Sequence, residues 1–335
     1  MGAADYAAAK RAAVQDALIK AGVNAEVLAP IIVPSHSRRR AVFKIKSLPE
    51  GLHIGFHAAR SHTVIDMHQC EVLTPALFAL VSALRVKLEP LFRVGEIAEL
   101  HVTQTDTGFD CAFRWRSLTP ALTATLSKAL SGLGIARLTM GGETVFETAV
   151  PQITLGGVAV ALPSNPFLQS TVEGEAALQG CVLTIIRKAK IVADLFSGVG
   201  TFALPLARIA KVHAVEQDEA ALAALNAATR GARGIKPVTT EKRDLFKVPL
   251  TQPELKPYDA VVLDPPRAGA EAQVRALTKS RVPVIAYVSC DAATFARDAA
   301  ILVAGGYRPG PVTPIDQFLW SSHIELVGSF KRAGA

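Results

Sequence analysis

The residues best suited to covalent chemistry are a cysteine and a glutamate near the carboxyl end of the chain. Cys290 follows a predicted strand and precedes a predicted helix; a helix N-terminus can lower the pKa of a thiol, although the adjacent Asp291 acts in the opposite direction. Glu325 lies in a later strand-like segment and is a candidate general base. Both also have a structural interpretation, because single cysteines are usually buried packing residues and alternate residues of a strand face solvent. The position of Cys290 at the carboxyl edge of a predicted sheet favours a nucleophile.

A second feature is a glycine-containing turn after another predicted strand. The sequence from Asp194 to Thr201 ends a strand and opens a helix, and Gly198 and Gly200 allow the backbone to approach a ligand at the helix N-terminus. Glu216 ends the next predicted strand, where a carboxylate can accept hydrogen bonds from both hydroxyls of a ribose. The pattern therefore predicts a cofactor that contains a nucleoside.

The identity of that cofactor depends on the surroundings of the turn. The stretch through Ala203 also satisfies the looser dinucleotide pattern, so a nicotinamide oxidoreductase is an alternative. S-adenosylmethionine is favoured because Asp194, inside the strand, suits a cationic methionine moiety better than a pyrophosphate. The last two strand-like segments are too close for a crossover helix, and the antiparallel hairpin that this implies suits a class I methyltransferase. The segment Asp264–Arg267 also closes a strand at the edge where substrates bind in open α/β folds.

The elements that must position these residues divide the chain in two. Residues 1–163 mix a leading helix with short strand-like runs and are predicted to form a smaller α+β domain. Residues 164–335 alternate between strand and helix, which predicts an α/β domain on a parallel, Rossmann-like sheet. The predicted strands are Ala41–Ile45, Thr63–Met67, Glu99–Thr103, Ile191–Leu195, Val212–Val215, Ala260–Leu263, Val284–Val288, Tyr307–Pro314 and His323–Lys331. The predicted helices of the second domain are Thr171–Ala189, Thr201–Ile209, Glu219–Arg230, Ala270–Thr278 and Ala293–Val303.

Composition restricts the kind of protein. The 335 residues include no apolar stretch long enough to span a bilayer and no visible export signal, so we expect a cytoplasmic protein without a membrane partner. The four cysteines form no Cys-x-x-Cys pair, which fits a reducing compartment. The net charge of +7, with the run Arg38–Arg40, favours an anionic partner such as RNA, although a solvated basic surface is the alternative.

Together these motifs resemble the bacterial RNA uracil-5-methyltransferase family, whose members act on 23S rRNA or on the T-loop of tRNA. The resemblance covers nearly the whole chain and rests on four motifs in order: Asp194–Ala207, Asp264–Gly269, Val288–Asp298 and Asp316–Glu325. It implies a class I methyltransferase domain that transfers a methyl group from S-adenosylmethionine to carbon 5 of a uridine in structured RNA. It also implies that Cys290 is the nucleophile, adding to carbon 6, and that Glu325 removes the proton from carbon 5.

The resemblance further implies a set of cofactor contacts. Phe196, Thr201, Glu216 and Asp264 fall on cofactor-contacting positions of the family, together with the glycines of the turn. Gln169, in a segment that precedes the methyltransferase domain, matches a glutamine that also contacts the cofactor. Asp244 is a looser match, at the end of the third strand, where an acidic or amide group commonly meets the adenine.

Two departures from the family pattern affect these expectations. Family members usually begin with a small β-barrel and then three cysteines that join a later one in holding an iron–sulfur cluster. Cys70 resembles that later ligand, but its partners would lie before Met1, so a truncated form and loss of the cluster are both open and we expect neither a cluster nor another metal site. Nearby histidines have spacings that fit no familiar metal site: His53, His57, His62 and His68. The second departure is Leu319-Trp320, where a Pro-His pair is frequent in the family.

We expect 23S rRNA as the substrate and a monomeric enzyme. The segment around Cys70 resembles the cluster-bearing branch of the family, which favours rRNA over the T-loop of tRNA. A non-catalytic RNA-binding or RNA-folding protein on the same fold is the alternative from another class. The presence of Cys290, Glu325 and the glycine turn argues against that alternative, because a pure binder needs none of them.

Overall fold

The computed structural model describes residues 2–58 and 61–334, which form two compact units. The first unit contains Met1–Val33, Leu155–Val160 and Glu173–Ala335, and the second contains Pro34–Thr154 and Ala161–Val172. The helices of the described residues are α1 (Ala3–Lys20), α2 (Pro75–Leu88), α3 (Pro120–Leu130), α4 (Val172–Ile186), α5 (Ala203–Ala207), α6 (Glu219–Gly231), α7 (Gln252–Leu255), α8 (Glu271–Thr278) and α9 (Ala292–Ala304), with a short 3₁₀ turn at Glu89–Leu91. The strands are β1 (Ile31–Ile32), β2 (Arg40–Leu48), β3 (Gly51–His57), β4 (Val64–Asp66), β5 (Ile97–Thr105), β6 (Gly108–Arg114), β7 (Ile135–Met140), β8 (Glu143–Glu147), β9 (Gln152–Leu155), β10 (Val158–Ala161), β11 (Ile191–Leu195), β12 (Lys211–Glu216), β13 (Val238–Lys242), β14 (Ala260–Leu263), β15 (Val284–Ser289), β16 (Tyr307–Asp316) and β17 (Glu325–Arg332).

The first unit is built on an eight-stranded sheet of order β1-β16-β17-β15-β14-β11-β12-β13. Strands β13, β12, β11, β14 and β15 pair in parallel, whereas β17 runs antiparallel to both β15 and β16. The predicted parallel sheet with a closing antiparallel hairpin is therefore confirmed. The chain leaves β11 toward β12 on one side and later returns as β14 on the other, so a topological switch point, where open α/β sheets bind ligands, lies between β11 and β14.

The sequence pattern located most strands of this sheet to within two residues. The predicted strand Ile191–Leu195 is β11, and Ala260–Leu263 is β14. The unpredicted strands are the two-residue β1 and β13, and the residues of β13, Val238–Lys242, are mostly polar and only partly buried at the sheet edge. A single buried face gives an edge strand a weak hydrophobic pattern, which explains the omission.

The leading helix corrects the predicted domain boundary. Residues 1–163 were expected to form one domain, but the first 33 residues belong to the first unit. Val14 and Leu18 of α1 are almost fully buried in the core of that unit, and β1 pairs in parallel with β16. Because α1 is rich in alanine, its apolar face is too weak in the sequence to indicate which sheet it covers.

The second unit contains a seven-stranded sheet of order β4-β3-β2-β5-β6-β7-β8 together with α2 and α3. Its pairings are antiparallel except for β6 with β7. Alternate residues of β2 are buried, including Phe43 and Ile45, and they share a core with Leu77 and Leu84 of α2. The predicted α+β character of this region is thus observed for residues 34–154. Strands β9 and β10 pair as a separate two-stranded sheet.

No helix within residues 2–58 and 61–334 is both long and apolar enough to cross a membrane. All four cysteines are free.

Candidate active site

The turn after β11 adopts a backbone that only particular residues tolerate. Gly198 and Gly200 have φ values of 53° and 101°, and Phe196 also lies in the left-handed region with a φ of 65°. A Cβ atom at Gly200 would come within 2.7 Å of Leu225, so this glycine is required by packing as well as by φ. A Cβ atom at Gly198 would meet nothing within 4 Å, so this glycine faces open space. The turn therefore has one glycine against the core and one on the side where a ligand can approach.

Glu216 braces this turn from the neighbouring strand. Its Oε2 accepts a hydrogen bond from the Gly198 N–H at 3.0 Å, and its Oε1 accepts from the N–H groups of Gln217 and Asp218 at 2.7 and 2.9 Å. Each carboxylate oxygen can accept more than one hydrogen bond, so the side chain retains capacity for a ligand. The carboxylate is thereby held at the mouth of the turn, as the sequence predicted.

Asp194 is a buried acid at the end of β11. Its side chain is fully buried, and neither carboxylate oxygen forms a hydrogen bond of ordinary geometry with a described residue. The nearby Ser197 hydroxyl is equally buried and equally unpaired. Burial, followed by repulsion from Asp264, raises the pKa of Asp194 well above its ordinary value, and the Ala203 backbone offsets only part of this. Such a group is suited to a ligand that brings a positive charge.

The next two strands end in groups that extend this site. Asp244, after β13, accepts a hydrogen bond from the Phe246 N–H at 3.1 Å and pairs with Lys247 at 3.2 Å, which lowers its pKa. The rings of Phe196 and Phe246 lie 5.4 Å apart, and Phe246 is 42% exposed. An open cavity of about 640 Å³ is lined by Gln217, Asp218, Lys242, Arg243 and Asp244. Phe246 was not among the predicted site residues, although it follows Asp244 by two positions.

The strand register places Cys290 beside Glu325. The antiparallel β15–β17 ladder ends with the pair Ser289 and Leu326, and Cys290 and Glu325 are the next residues beyond that pair. Cys290 is half-buried and Glu325 is 3% exposed. Asp264 directly follows β14, the strand on the other side of β15, and its charge acts on both residues. The predicted nucleophile and the predicted base therefore share one region with the Asp264 carboxylate.

This region is electrostatically acidic and poorly hydrated. Burial, then the charges of Glu325 and Asp264, raise the pKa of Cys290 to about 11, and Arg267 opposes this shift. Burial raises the pKa of Glu325 to about 8, with Asp264 adding to the shift, and burial raises the pKa of Asp264 to about 7. Each shift disfavours the charged form. Without a ligand, the thiol is protonated near neutral pH, and a cationic ligand would favour ionisation of all three groups.

The loop from 317 to 324, which leads into Glu325, is anchored by α1. The buried Asp316 accepts hydrogen bonds from Lys10 Nζ at 3.1 Å, from the Tyr6 hydroxyl at 2.6 Å and from the Phe318 N–H at 3.1 Å. Lys10 Nζ also donates to the carbonyls of Ser321 and His323, at 2.8 and 2.7 Å. The anchoring residues were not predicted, because a lysine in an alanine-rich helix ordinarily faces solvent.

Gln317 contacts the candidate base directly. Its Nε2 donates to Glu325 Oε1 at 3.2 Å, and both side chains are almost fully buried. This hydrogen bond lowers the pKa of Glu325, although burial raises it more. Gln317 thus fixes one carboxylate oxygen of Glu325.

The loop that carries Asp264 and Arg267 is also held at its end by a hydrogen bond to a buried aspartate of α9. Asp298 is fully buried and accepts hydrogen bonds from the Ala270 N–H at 2.7 Å and from the Tyr287 hydroxyl at 2.5 Å. Gly269 has a φ of 78°, and a Cβ atom there would lie 2.7 Å from Asp298. The loop therefore has one tightly packed conformation.

The remaining predicted positions have mixed outcomes. Thr201 lies in the glycine turn, is 8% exposed, and its carbonyl accepts a hydrogen bond from Gln179 at 2.9 Å. Gln169 is buried within the second unit, where its carbonyl accepts a hydrogen bond from Arg39 at 3.3 Å, and its contact with a cofactor stays a prediction. Cys70 is half-buried, and no group of three or more potential metal-ligating side chains occurs in the described part of the chain.

Comparison with known proteins gives a consistent group of relatives. Residues 162–332 match the model of the family described as tRNA (Uracil-5-)-methyltransferase. An uncharacterized RNA methyltransferase of Rhizobium meliloti is 44% identical over 328 residues, which is 98% of this chain and 79% of that protein. The 23S rRNA (uracil(1939)-C(5))-methyltransferase RlmD of Chromohalobacter salexigens is 37% identical over 311 residues, covering 86% of this chain and 63% of that protein.

One solved structure has the same fold over nearly the whole chain. It is the Pyrococcus abyssi tRNA (uracil-54, C5)-methyltransferase in complex with S-adenosyl-L-homocysteine, with a TM-score of 0.75 over 97% of this chain and 83% of that one. The two sequences are 22% identical. The match supports the predicted class I methyltransferase fold.

Proposed function

This chain belongs to the tRNA (Uracil-5-)-methyltransferase family and is an RNA uracil-5-methyltransferase, and from that premise we propose that Cys290 and Glu325 are its catalytic pair and that 23S rRNA is its substrate. The observation that carries the catalytic assignment is the register of β15 and β17, which opposes these two residues at the carboxyl edge of the parallel strands. A thiol and a carboxylate side by side are what methylation at carbon 5 of a uracil requires, because that carbon is a poor nucleophile until a group adds to carbon 6.

The proposed reaction begins with the thiol. Cys290 releases its proton to solvent and its sulfur adds to carbon 6, so the electron pair of the carbon 5–carbon 6 double bond moves into an enolate. When bound, S-adenosylmethionine would supply an electrophilic methyl group to carbon 5, with S-adenosylhomocysteine as the leaving group. Glu325 then removes the proton from carbon 5, the double bond re-forms, and the Cys290 sulfur leaves. The Gln317 hydrogen bond orients Glu325 for this proton transfer.

The cofactor assignment rests on the chemistry of the donor groups around the glycine turn. The unpaired Asp194 and Ser197 fit the positively charged methionine end. We propose that Glu216 accepts hydrogen bonds from the ribose hydroxyls and Asp244 from the exocyclic amino group of the adenine. The hydrogen bonds that hold both carboxylates, and the adjacent rings of Phe196 and Phe246, support this proposal. Further contacts are proposed for Gln169, Gly198, Gly200, Thr201 and Asp264. A nicotinamide dinucleotide fits less well, because its pyrophosphate would approach the buried Asp194 carboxylate.

The choice of RNA is the finer part of the proposal. A relative that covers most of this chain is named as a 23S rRNA methyltransferase, and the segment around Cys70 resembles the cluster-bearing branch. The tRNA T-loop is the second candidate, because the family description and the structural neighbour both name tRNA. We propose that the enzyme acts in the cytoplasm as a monomer, without an iron–sulfur cluster.

The catalytic assignment is tested by covalent trapping. RNA transcribed with 5-fluorouridine should form a stable adduct with the protein and S-adenosylmethionine, because fluorine cannot leave carbon 5 as a cation. The variant Cys290→Ala should form no adduct and should lose methyl transfer by about 10⁴-fold or more. Cys181→Ala is the matched control, since Cys181 is also a half-buried free cysteine but lies on α4, and it should trap normally.

The variant Glu325→Gln separates the two catalytic roles. Addition of the thiol and methylation should proceed, but release should stall, so this variant should accumulate an adduct with unmodified RNA. Methyl transfer to transcripts of 23S rRNA and of tRNA, assayed side by side, decides the substrate. Trapping by Cys290→Ala, or rapid turnover by Glu325→Gln, would refute the respective assignment.

A further inference from the structure

Trp320 occupies an unusual turn in the loop that leads into Glu325. Its side chain is 61% exposed, and its φ of 58° is in the left-handed region, which bulky side chains rarely adopt. Left-handed bulky residues persist only where surrounding structure holds them, and they cluster at functional sites. This combination of exposure and strain is not explained by the packing of the first unit.

The turn is held from both sides of Trp320. Its N–H donates a hydrogen bond to the Tyr6 hydroxyl at 2.9 Å, and that hydroxyl in turn donates to the buried Asp316. On the other side, Lys10 Nζ holds the carbonyl of Ser321 at 2.8 Å. Helix α1 therefore fixes the backbone while the indole is exposed to solvent, so little backbone entropy remains to be lost when the ring binds a ligand.

The chemistry of the surrounding surface indicates what the ring contacts. Ser321, Ser322 and His323 are exposed and follow Trp320 directly, whereas Phe318 and Leu319, which precede it, are partly buried, so Trp320 carries the most exposed apolar side chain of this loop. A protein-docking surface would require a contiguous apolar patch. A single exposed ring on a held backbone instead suits stacking on one planar group, and a nucleobase has two such faces.

Resting on the proposed function, we propose that Trp320 stacks on an unpaired nucleobase of the RNA next to the target uridine. Extraction of a uridine into the site beside Glu325 leaves neighbouring bases without their stacking partner. Trp320 precedes Glu325 by five residues on an anchored loop and can replace that partner. The residue thus contributes to RNA affinity and leaves the chemical step to Cys290 and Glu325.

The test compares variants that separate the ring from the backbone. Trp320→Asn removes the indole but keeps a residue that tolerates the left-handed conformation, whereas Trp320→Phe keeps an aromatic face. With a 23S rRNA transcript as the probe, Trp320→Asn should raise the KM for RNA by about 5- to 100-fold, with kcat and S-adenosylmethionine affinity nearly unchanged. Trp320→Phe should recover most of the affinity. An Asn variant with the wild-type KM would overturn the proposal.

A fluorescence measurement gives an independent readout. The chain has two tryptophans, so Trp115→Phe leaves Trp320 as the sole indole. Titration of that variant with the transcript should quench its emission if the indole stacks on a base, and unchanged emission at saturating RNA would overturn the proposal. Covalent trapping of 5-fluorouridine RNA by the wild type is run in parallel. Its failure would refute the proposed function, whereas normal trapping together with an unchanged KM would refute only the role of Trp320.

Discussion

Two aspartates near the ends of strands in the sheet of the first unit are equally buried but differ in whether a cation pairs with them. Asp194, at the end of β11, and Asp316, at the end of β16, are both 0% exposed. Asp316 is paired with Lys10 and accepts further hydrogen bonds from Tyr6 and from the Phe318 N–H. Asp194 has no comparable partner, and its pKa is raised.

The difference distinguishes a structural acid, Asp316, from an acid that we propose binds a ligand, Asp194, which we call the binding acid. Burial of an ion pair is tolerable when its hydrogen bonds are satisfied, and the result at Asp316 is a rigid loop. Burial of an unpaired carboxylate destabilises the protein, and the free energy is recovered only when a ligand supplies the missing charge. The glycine turn therefore lies beside a buried acid whose charge the protein does not compensate. The loop after β16 follows a buried acid that is compensated without a ligand.

The largest effect is expected when the structural acid loses its partner. Lys10→Met leaves Asp316 buried without a cation and should lower the free energy of unfolding by about 3–5 kcal/mol. Lys20→Met, at the exposed end of the same helix, is the matched control and should have little effect. Urea denaturation measures both. A loss below about 1 kcal/mol for Lys10→Met would show that the two aspartates are not differently compensated.

The buried acids near Cys290 should make stability depend on pH. The pKa of Glu325 is raised to about 8, so between pH 5 and 8 the folded protein retains a proton that the unfolded chain has released. Stability is therefore greatest in the acidic part of this range and falls as pH rises, by on the order of 3 kcal/mol. Asp264, with a pKa raised to about 7, acts in the same direction.

Denaturant titrations at pH 5 and 8, without cofactor, measure this dependence. Glu325→Gln should remove part of the slope because its amide does not titrate. If the variant and the wild type lost equal stability over the range, Glu325 would not be the source.

The binding acid should affect ligand affinity more than stability. Asp194→Asn removes the charge opposite the proposed methionine end and should weaken S-adenosylmethionine binding by about 100-fold, while the ligand-free protein becomes no less stable. Adenosine, which lacks the methionine, serves as the control ligand and should bind both proteins alike. Calorimetric titration measures the affinity of both proteins for each ligand. An equal loss of affinity for the two ligands would indicate a general distortion of the turn.

The smallest effect concerns the hydroxyl that links Asp316 to the Trp320 turn. Tyr6→Phe removes two hydrogen bonds but leaves the Lys10 ion pair, so it should lower the free energy of unfolding by about 1–2 kcal/mol. Amide hydrogen exchange at Trp320 should become faster than in the wild type. Unchanged exchange would mean that the turn is held by Lys10 alone.

The two aspartates also show which features of the structure could be predicted from the sequence pattern and which could not. The glycine turn, β11, β14 and β15 were predictable because strand and turn chemistry are local. Cys290 was selected by its position at a predicted strand end, and Glu325 by its match to the proton-abstracting glutamate of the family. The anchoring role of Lys10 was not predictable, since its partner Asp316 lies about 300 residues away and nothing local indicates burial of a lysine. The same reason explains the placement of residues 1–33 in the first unit.

The sequence by itself determined the order of strands and helices, the glycine turn after β11 and the identity of the groups that could carry out the chemistry, because each depends on residues close together in the chain. Only the tertiary structure decided that Cys290 and Glu325 oppose each other, that Asp194 is left without a partner and that α1 fixes the loop before Glu325. Those outcomes depend on strand register and on burial, which arise from contacts between segments far apart in the sequence.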